Sequence, residues 1–334
     1  MLYQIDMGGV IRQFEFFAPP GWEFFIDKLW DGGLGPDGLP LLVMLHGGGQ
    51  SVENLRTLWP FAQISMGDTV DIEDRFFVLM PYGTAYRSEG GEPHHGWNQG
   101  YSAALSESDD VAFIQQAIQI VQGWLDDRLT AMGSARRSID PDRRFLFGYS
   151  NGGMMAYRLA ADVPDYFRAM WVYATSYGGK ALHGHTPLVE NVPPVSAGPI
   201  SVFHVHGGAD QTVDPGPDGD TTALTVSQAA EAVMNAQGVN PPGSFARSDR
   251  SLSGAMLAYR THNGLAAVPY RDLTGLPSVG PVDNSFRREW RNTAGDPFPS
   301  VVLYRDPALE HIGLATASYV SEVLVWDWFK TQGP

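Results

Sequence analysis

The chain has 334 residues, 43% hydrophobic and 18% charged, a balance that suits one large α/β domain with insertions or two small ones and argues against disorder. Its 37 acidic and 22 basic residues leave a net charge of −15, which speaks against nucleic acid and anionic membranes as partners. There is no cysteine, so disulfides, thiol catalysis and Cys-based zinc sites are excluded. No apolar run approaches membrane-spanning length, so no membrane insertion is expected. MLYQIDMGGVIRQF lacks the basic and apolar regions of a signal peptide. The expectation is a cytoplasmic protein, or a secreted one whose signal was removed.

Val10 to Pro19 alternates loosely and predicts an edge strand, with Trp22 to Asp27 as its hairpin partner. After a turn-rich connection, Leu41 to Leu45 reads as a buried parallel strand. It runs into His46-Gly47-Gly48-Gly49-Gln50. A glycine-rich loop directly after a buried strand lets backbone N–H groups approach a ligand; Gly48 and Gly49 are the candidate donors, with a plain tight turn as the alternative. His46 is read as structural within that loop. Ser51 to Ile64 predicts a helix capped by Ser51, and Phe76 to Met80 another strand. Tyr86 to Gly100 reads as a loop. His94 and His95 are adjacent, so their side chains diverge, and no carboxylate pair completes a metal site. Trp97 is a candidate cleft aromatic, or else the packing residue of its own surface loop.

Val111, Ile114, Ile118, Val121 and Leu125 recur at helical spacing, with Asp109 and Asp110 placed as cap and first-turn acid rather than as an acid–base pair. Asp140 to Arg144 reads as a turn feeding the strand Phe145 to Phe147. There follows Gly148-Tyr149-Ser150-Asn151-Gly152, then a run of helix-compatible residues. Strand, G-x-S-x-G, helix is the context of a nucleophile elbow: a sharp turn that exposes the serine at a sheet edge and aims the next backbone N–H, that of Asn151, at a developing oxyanion. Ala169 to Ala174 and Ile200 to Val205 predict further strands, the second followed by His206-Gly207-Gly208-Ala209-Asp210. Thr225 to Gln237 reads as a helix, and His262-Asn263-Gly264 as a hairpin turn. Phe286 to Trp290 is strand-like, and Ser300 to Tyr304 predicts the last strand. Ala315 to Thr331 closes as a helix with Tyr319, Val323, Trp326 and Phe329 toward the core.

A serine nucleophile needs a base in reach and an acid to hold that base in one tautomer. The order Ser, Asp, His is satisfied by Ser150, Asp210 and His311, each just beyond an apolar strand. Asp214 and Asp218 are rival acids and His262 is the rival base. Trp59 and Trp290 join Trp97 as candidate substrate-binding aromatics.

These motifs resemble the polyhydroxybutyrate depolymerase and feruloyl esterase group of α/β-hydrolases. The likeness rests on Leu45-His46-Gly47-Gly48-Gly49 with Asn54, Gly96-Trp97-Asn98, Asp109 to Ile114 and Asp140-Pro141-Asp142-Arg143. It rests further on Gly148 to Ala156 and His206-Gly207-Gly208-Ala209-Asp210. Where many members read G-H-x-W, this chain reads Glu310-His311-Ile312-Gly313. The resemblance implies an α/β-hydrolase fold, a mostly parallel sheet flanked by helices with an irregular insertion before the last strand, as one catalytic domain over 1–334. Residues 241–299 are expected to form a lid or β-extension. It implies a serine esterase without cofactor, acting on feruloyl, aryl or hydroxyacyl esters; from the residues themselves no metal site is expected. A polyester depolymerase, a serine peptidase and an inactive binding protein of the same fold are the alternatives.

Overall fold

The computed structural model describes residues 1–24, 26, 38–66, 74–87, 93–99, 108–176, 178–180, 189–190, 193–194, 196–210, 212–214, 225–226, 252–266, 271–276, 285–291, 298–311 and 322–333. Its strands are β1 (Leu2–Asp6), β2 (Ile11–Phe17), β3 (Leu39–Leu45), β4 (Phe77–Pro81), β5 (Thr84–Arg87), β6 (Pro93–Gly96), β7 (Ile139–Tyr149) and β8 (Ala169–Tyr173). They continue with β9 (Gly178–Lys180), β10 (Val189–Glu190), β11 (Ser201–Gly207), β12 (Val213–Asp214), β13 (Thr225–Val226), β14 (Arg271–Leu276), β15 (Ser285–Arg291) and β16 (Ser300–Asp306). The helices are α1 (Val52–Leu58), α2 (Phe61–Met66), α3 (Asp110–Ala131), α4 (Asn151–Asp162), α5 (Leu252–His262) and α6 (Glu322–Lys330).

Among the described residues, ten strands form one sheet in the order β1-β2-β4-β3-β7-β8-β11-β16-β15-β14. The six from β4 to β16 in that order are mutually parallel, and antiparallel strands extend both edges. The parallel strands are continuously apolar because both faces are covered. In β3, Leu41, Val43 and Leu45 enter the core on the α3, α4 and α5 face, while Leu42 and Met44 enter the core beneath α1, α2 and α6. The period-2 alternation of a strand thus feeds two cores at once. Helix α3 presents Phe113, Ile114, Ala117, Ile118, Val121, Leu125 and Leu129 to the sheet, and Asp109 caps it by accepting from the Ala112 N–H.

Several elements depart from the sequence reading. The edge strand is β1, which takes the hairpin position beside β2; Trp22 to Phe24 are helical. The helix expected over Ser51–Ile64 is two, because Pro60 cannot donate and holds Trp59 extended at φ −133. Ser51 does cap α1, in a reciprocal box with Asn54. The expected loop before Gly100 contains the β5–β6 hairpin. Asp140 to Asp142 form a bulge inside β7, where the register against β3 jumps. Thr225 and Val226 pair with β12, and 227–237 lie outside the described residues. His262-Asn263-Gly264 ends α5, with Gly264 at φ +66, rather than turning a hairpin. Between 241 and 299, β14 and β15 extend the sheet from β16. On α6, Trp326 and Phe329 are buried but Val323 faces solvent; Tyr319 lies outside the described residues.

Candidate active site

Ser150 sits between β7 and α4 at φ 51, left-handed backbone that a serine adopts only under constraint. The constraint is visible in the glycines around it. A methyl group at Gly148 would lie 2.5 Å from Gly152 O, and one at Gly152 would lie 2.2 Å from Leu45 O. At Gly153 it would meet the Thr175 side chain at 2.7 Å. The Ser150 N–H donates to Tyr173 O, and Thr175 Oγ1 donates to Ser150 O. The G-x-S-x-G-G run is therefore a packing requirement: α4 must pass against the end of β3 for the turn to close.

His311 Nε2 lies 3.0 Å from Ser150 Oγ, and His311 Nδ1 lies 2.8 Å from Asp210 Oδ2. Asp210 is fully buried, and its other oxygen accepts from the N–H groups of Thr212 and Val213 at 2.8 Å each. Two backbone N–H groups fix the carboxyl through Oδ1, and its Oδ2, accepting from His311, sets the proton of a neutral His311 on Nδ1. Nε2 is then free to accept from Ser150. The loop carrying His311 is seated on the loop carrying Asp210. The Gly208 N–H donates to Asp306 O and the Ala209 N–H to Leu309 O. A methyl group at Gly207 would fall 2.1 Å from Leu309 O, which explains the glycine. Two phenols complete the clamp: Tyr149 Oη donates to His311 O and Tyr173 Oη to Glu310 O.

The loop after β3 flanks the serine on the other side. Gly48 backs onto Asn151, and no hydrogen bond among the described residues uses either backbone N–H. Gly49 is different: its N–H donates to His95 O at 2.8 Å, so it is not a free donor, and its φ of +70 explains the glycine instead. His46 is buried with Nδ1–H donating to Gly47 O and Nε2 accepting from the Gly83 N–H. Burial pulls its pKa down to about 4, so it stays neutral. His95 turns its Nδ1 to Gly83 O.

No family model matches the chain. The candidate esterase NocK of Nocardia uniformis subsp. tsuyamanensis is 31% identical over 217 residues, which are 62% of this chain and 47% of NocK. The chain thus spans about half the length of that curated relative. Acetyl xylan esterase from Aspergillus awamori superposes over 99% of both chains with a TM-score of 0.51 at 13% identity. The chain has the α/β-hydrolase fold. Native sOPH superposes over 65% of this chain and 69% of its own, at a TM-score of 0.42 and 19% identity.

Within that hydrolase fold the three tryptophans do not line a cleft. Trp97 is fully buried, with Nε1–H donating to His46 O and its backbone N–H donating to Asn151 Oδ1. It braces the loop beside the serine. Trp59 packs among Phe147, Tyr149 and Tyr173 in the core. Trp290 is buried on β15, with Arg260 5.0 Å over its ring. Of the rivals, His262 is tied to Gly198 O, Asp214 lies on β12, and Asp218 lies outside the described residues.

Sequence reasoning overlooked three further contributors. Asp110 is more than a first-turn acid: it is fully buried and accepts from Arg12 and from the Asn98 N–H, tying β2 and the Trp97 loop to α3. Tyr149 and Tyr173 reach the His311 loop across 162 and 137 residues, and no local pattern announces such contacts.

Proposed function

We propose that this chain is a serine carboxylic-ester hydrolase working through an acyl-enzyme. The observation that carries the reading is the continuous line Ser150 Oγ, His311 Nε2, His311 Nδ1, Asp210 Oδ2, with links of 3.0 and 2.8 Å at a strained elbow serine. Ser150 Oγ attacks the ester carbonyl carbon as its proton passes to His311 Nε2. Asp210 steadies the imidazolium through Nδ1–H. The tetrahedral oxyanion takes hydrogen bonds from the backbone N–H groups of Asn151 and Gly48, each worth about 3 kcal/mol in such sites. Collapse breaks the ester C–O bond, and His311 returns its proton to the departing alcohol. Water, deprotonated by His311, then attacks the acyl carbon, and release of the acid restores Ser150. No cofactor is needed for these steps. The likeness to NocK favours an ester over an amide, and feruloyl, aryl or hydroxyacyl esters are the proposed substrates.

The test is hydrolysis of p-nitrophenyl esters of increasing chain length, with methyl ferulate and a soluble polyester oligomer alongside. Ser150→Ala is expected to lower kcat by on the order of 10⁴-fold or more and to abolish labelling by a fluorophosphonate probe. An unaltered rate in Ser150→Ala defeats the reading; the best wild-type substrate assigns the acyl preference.

A further inference from the structure

Strand β11 spends two fully buried positions on histidine where aliphatic residues would be cheaper. His204 and His206 are two apart on one face of the strand, alternating with Phe203 and Val205 on the other. They are joined in a line. Tyr157 Oη lies 2.7 Å from His204 Nδ1, and His204 Nε2 lies 3.2 Å from His206 Nδ1. His206 Nε2 lies 2.8 Å from Val213 O and 3.5 Å from Asp210 Oδ2.

The partners fix every proton. Val213 O only accepts, so His206 carries its hydrogen on Nε2. In a neutral ring Nδ1 then accepts, which puts the hydrogen of His204 on Nε2. His204 Nδ1 accepts in turn, and Tyr157 donates. Burial holds both rings below the ordinary histidine pKa, against the pull of Asp210 on His206 and with the push of His311 and Arg305. The chain is therefore uncharged and has one direction, ending at the turn that presents Asp210.

The end-point matters because of how Asp210 is held among the described residues. A carboxylate has about four lone-pair sites. Two face the N–H groups of Thr212 and Val213, and one faces His311. His206 Nε2 stands 3.5 Å from Oδ2, close enough to bear on it electrostatically while its hydrogen bond goes to Val213 O. The same N–H anchors Val213 O, the carbonyl of a residue whose own N–H holds Oδ1.

We propose that Tyr157, His204 and His206 form a directional hydrogen-bonded chain that positions Asp210 from behind, with His206 as the positioning residue in contact with the acid and its turn. This deepens the serine-hydrolase reading and rests on it for any effect on rate.

The first measurement uses the intact wild-type protein. Long-range ¹H–¹⁵N correlations of ¹⁵N-histidine-labelled protein are expected to show His204 and His206 as neutral Nε2–H tautomers between about pH 6 and 8. Buried His46 is expected as the opposite, Nδ1–H, tautomer under the same conditions. An Nδ1–H tautomer or an imidazolium at His204 or His206 overturns the chain whatever the enzyme does. The second measurement is a double-mutant cycle on ester hydrolysis. His206→Gln is expected to lower kcat on the order of 10-fold with KM within about twofold, the cost of a misplaced acid. In an Asp210→Asn background the same change is expected to cost less than about twofold, because its target is already impaired. Tyr157→Phe, which removes only the far donor, is expected to lower kcat about threefold, again without moving KM, and serves if His206→Gln does not fold. Equal losses in both backgrounds, or losses seen only in KM, overturn the positioning role while leaving the esterase intact. Wild-type activity in Asp210→Asn overturns the acid assignment and the rate effect together, while the tautomers still judge the chain.

Discussion

On the serine side of the site, the residues that permit the placement are consecutive, and they close against Leu45 at the end of β3. Gly148, Gly152 and Gly153 let α4 close onto the ends of β3 and β7, and the turn between them fixes Ser150. On the acid–base side, placement is remote. His311 is oriented by Asp210 across 101 residues and by Tyr149 across 162, and its loop rests on Gly207 and Gly208. The difference follows from the physics of each part. A strained turn must be built from its own neighbours, since only missing side chains relieve its crowding. A base on a loop needs only an end-point, which any rigid element nearby can supply.

The largest effects should come from breaking each half through its glycine. Gly152→Ala drives a methyl group into Leu45 O, and is expected to cost about 3 kcal/mol of stability by overpacking along with most of the activity. Gly207→Ala pushes on Leu309 O instead. It is expected to cost about 1–2 kcal/mol, because a loop can yield, and on the order of 100-fold in kcat, because His311 moves. Urea denaturation and p-nitrophenyl ester turnover on both variants check this. If Gly152→Ala loses less stability than Gly207→Ala, the contrast between local and remote placement is wrong.

Acid should weaken both halves, through different histidines. Burial lowers the pKa of His46, under the serine-side loop, to about 4. Between about pH 6.5 and 4 the unfolded chain binds a proton at this residue that the folded one does not. Stability is therefore whole above pH 6.5 and falls as the pH drops toward 4, by about 3 kcal/mol for a shift of this size. His204 and His206, behind Asp210, are lowered by burial in the same direction and add to the loss. Urea unfolding at pH 7 and pH 4.5 should show the loss, and His46→Gln should flatten the slope. An unchanged slope in His46→Gln assigns the acid sensitivity to the other half.

The same contrast decides what could be read from the chain. The elbow, the HGGG loop and the parallel strands are legible because each is written in consecutive residues: an apolar run, then glycines, then a helix. The candidate acid and base could be picked by chain order and by their place after a strand, since topology brings such loops to one sheet edge. The donors to the backbone of the His311 loop could not be picked. Tyr149 is only the variable position of G-x-S-x-G, and Tyr173 only the last residue of a buried strand. The tryptophans misled for a related reason. A large aromatic beside a motif suits a cleft wall or a brace equally well, and burial alone separates the two: Trp97 spends its indole N–H on His46 O. Gly49 looked equivalent to Gly48 until the β5–β6 hairpin, unrecognised in the sequence, brought His95 O to its N–H.

The finest test compares two losses of equal stability on opposite sides. Tyr149→Phe and Tyr173→Phe each delete one hydrogen bond, to the carbonyls of His311 and Glu310. Each is expected to cost about 1 kcal/mol of stability and, felt in the transition state, about fivefold in kcat. The two rings stack with centroids 5.4 Å apart and hold successive carbonyls, so the double variant should lose more than the product of the single losses. Ser51→Ala on the serine side removes the cap of α1. It should cost a similar 1 kcal/mol or so without lowering kcat. If the tyrosine variants lose stability as Ser51→Ala does and keep full kcat, His311 is placed by its own loop, and the acid–base half is as local as the serine half.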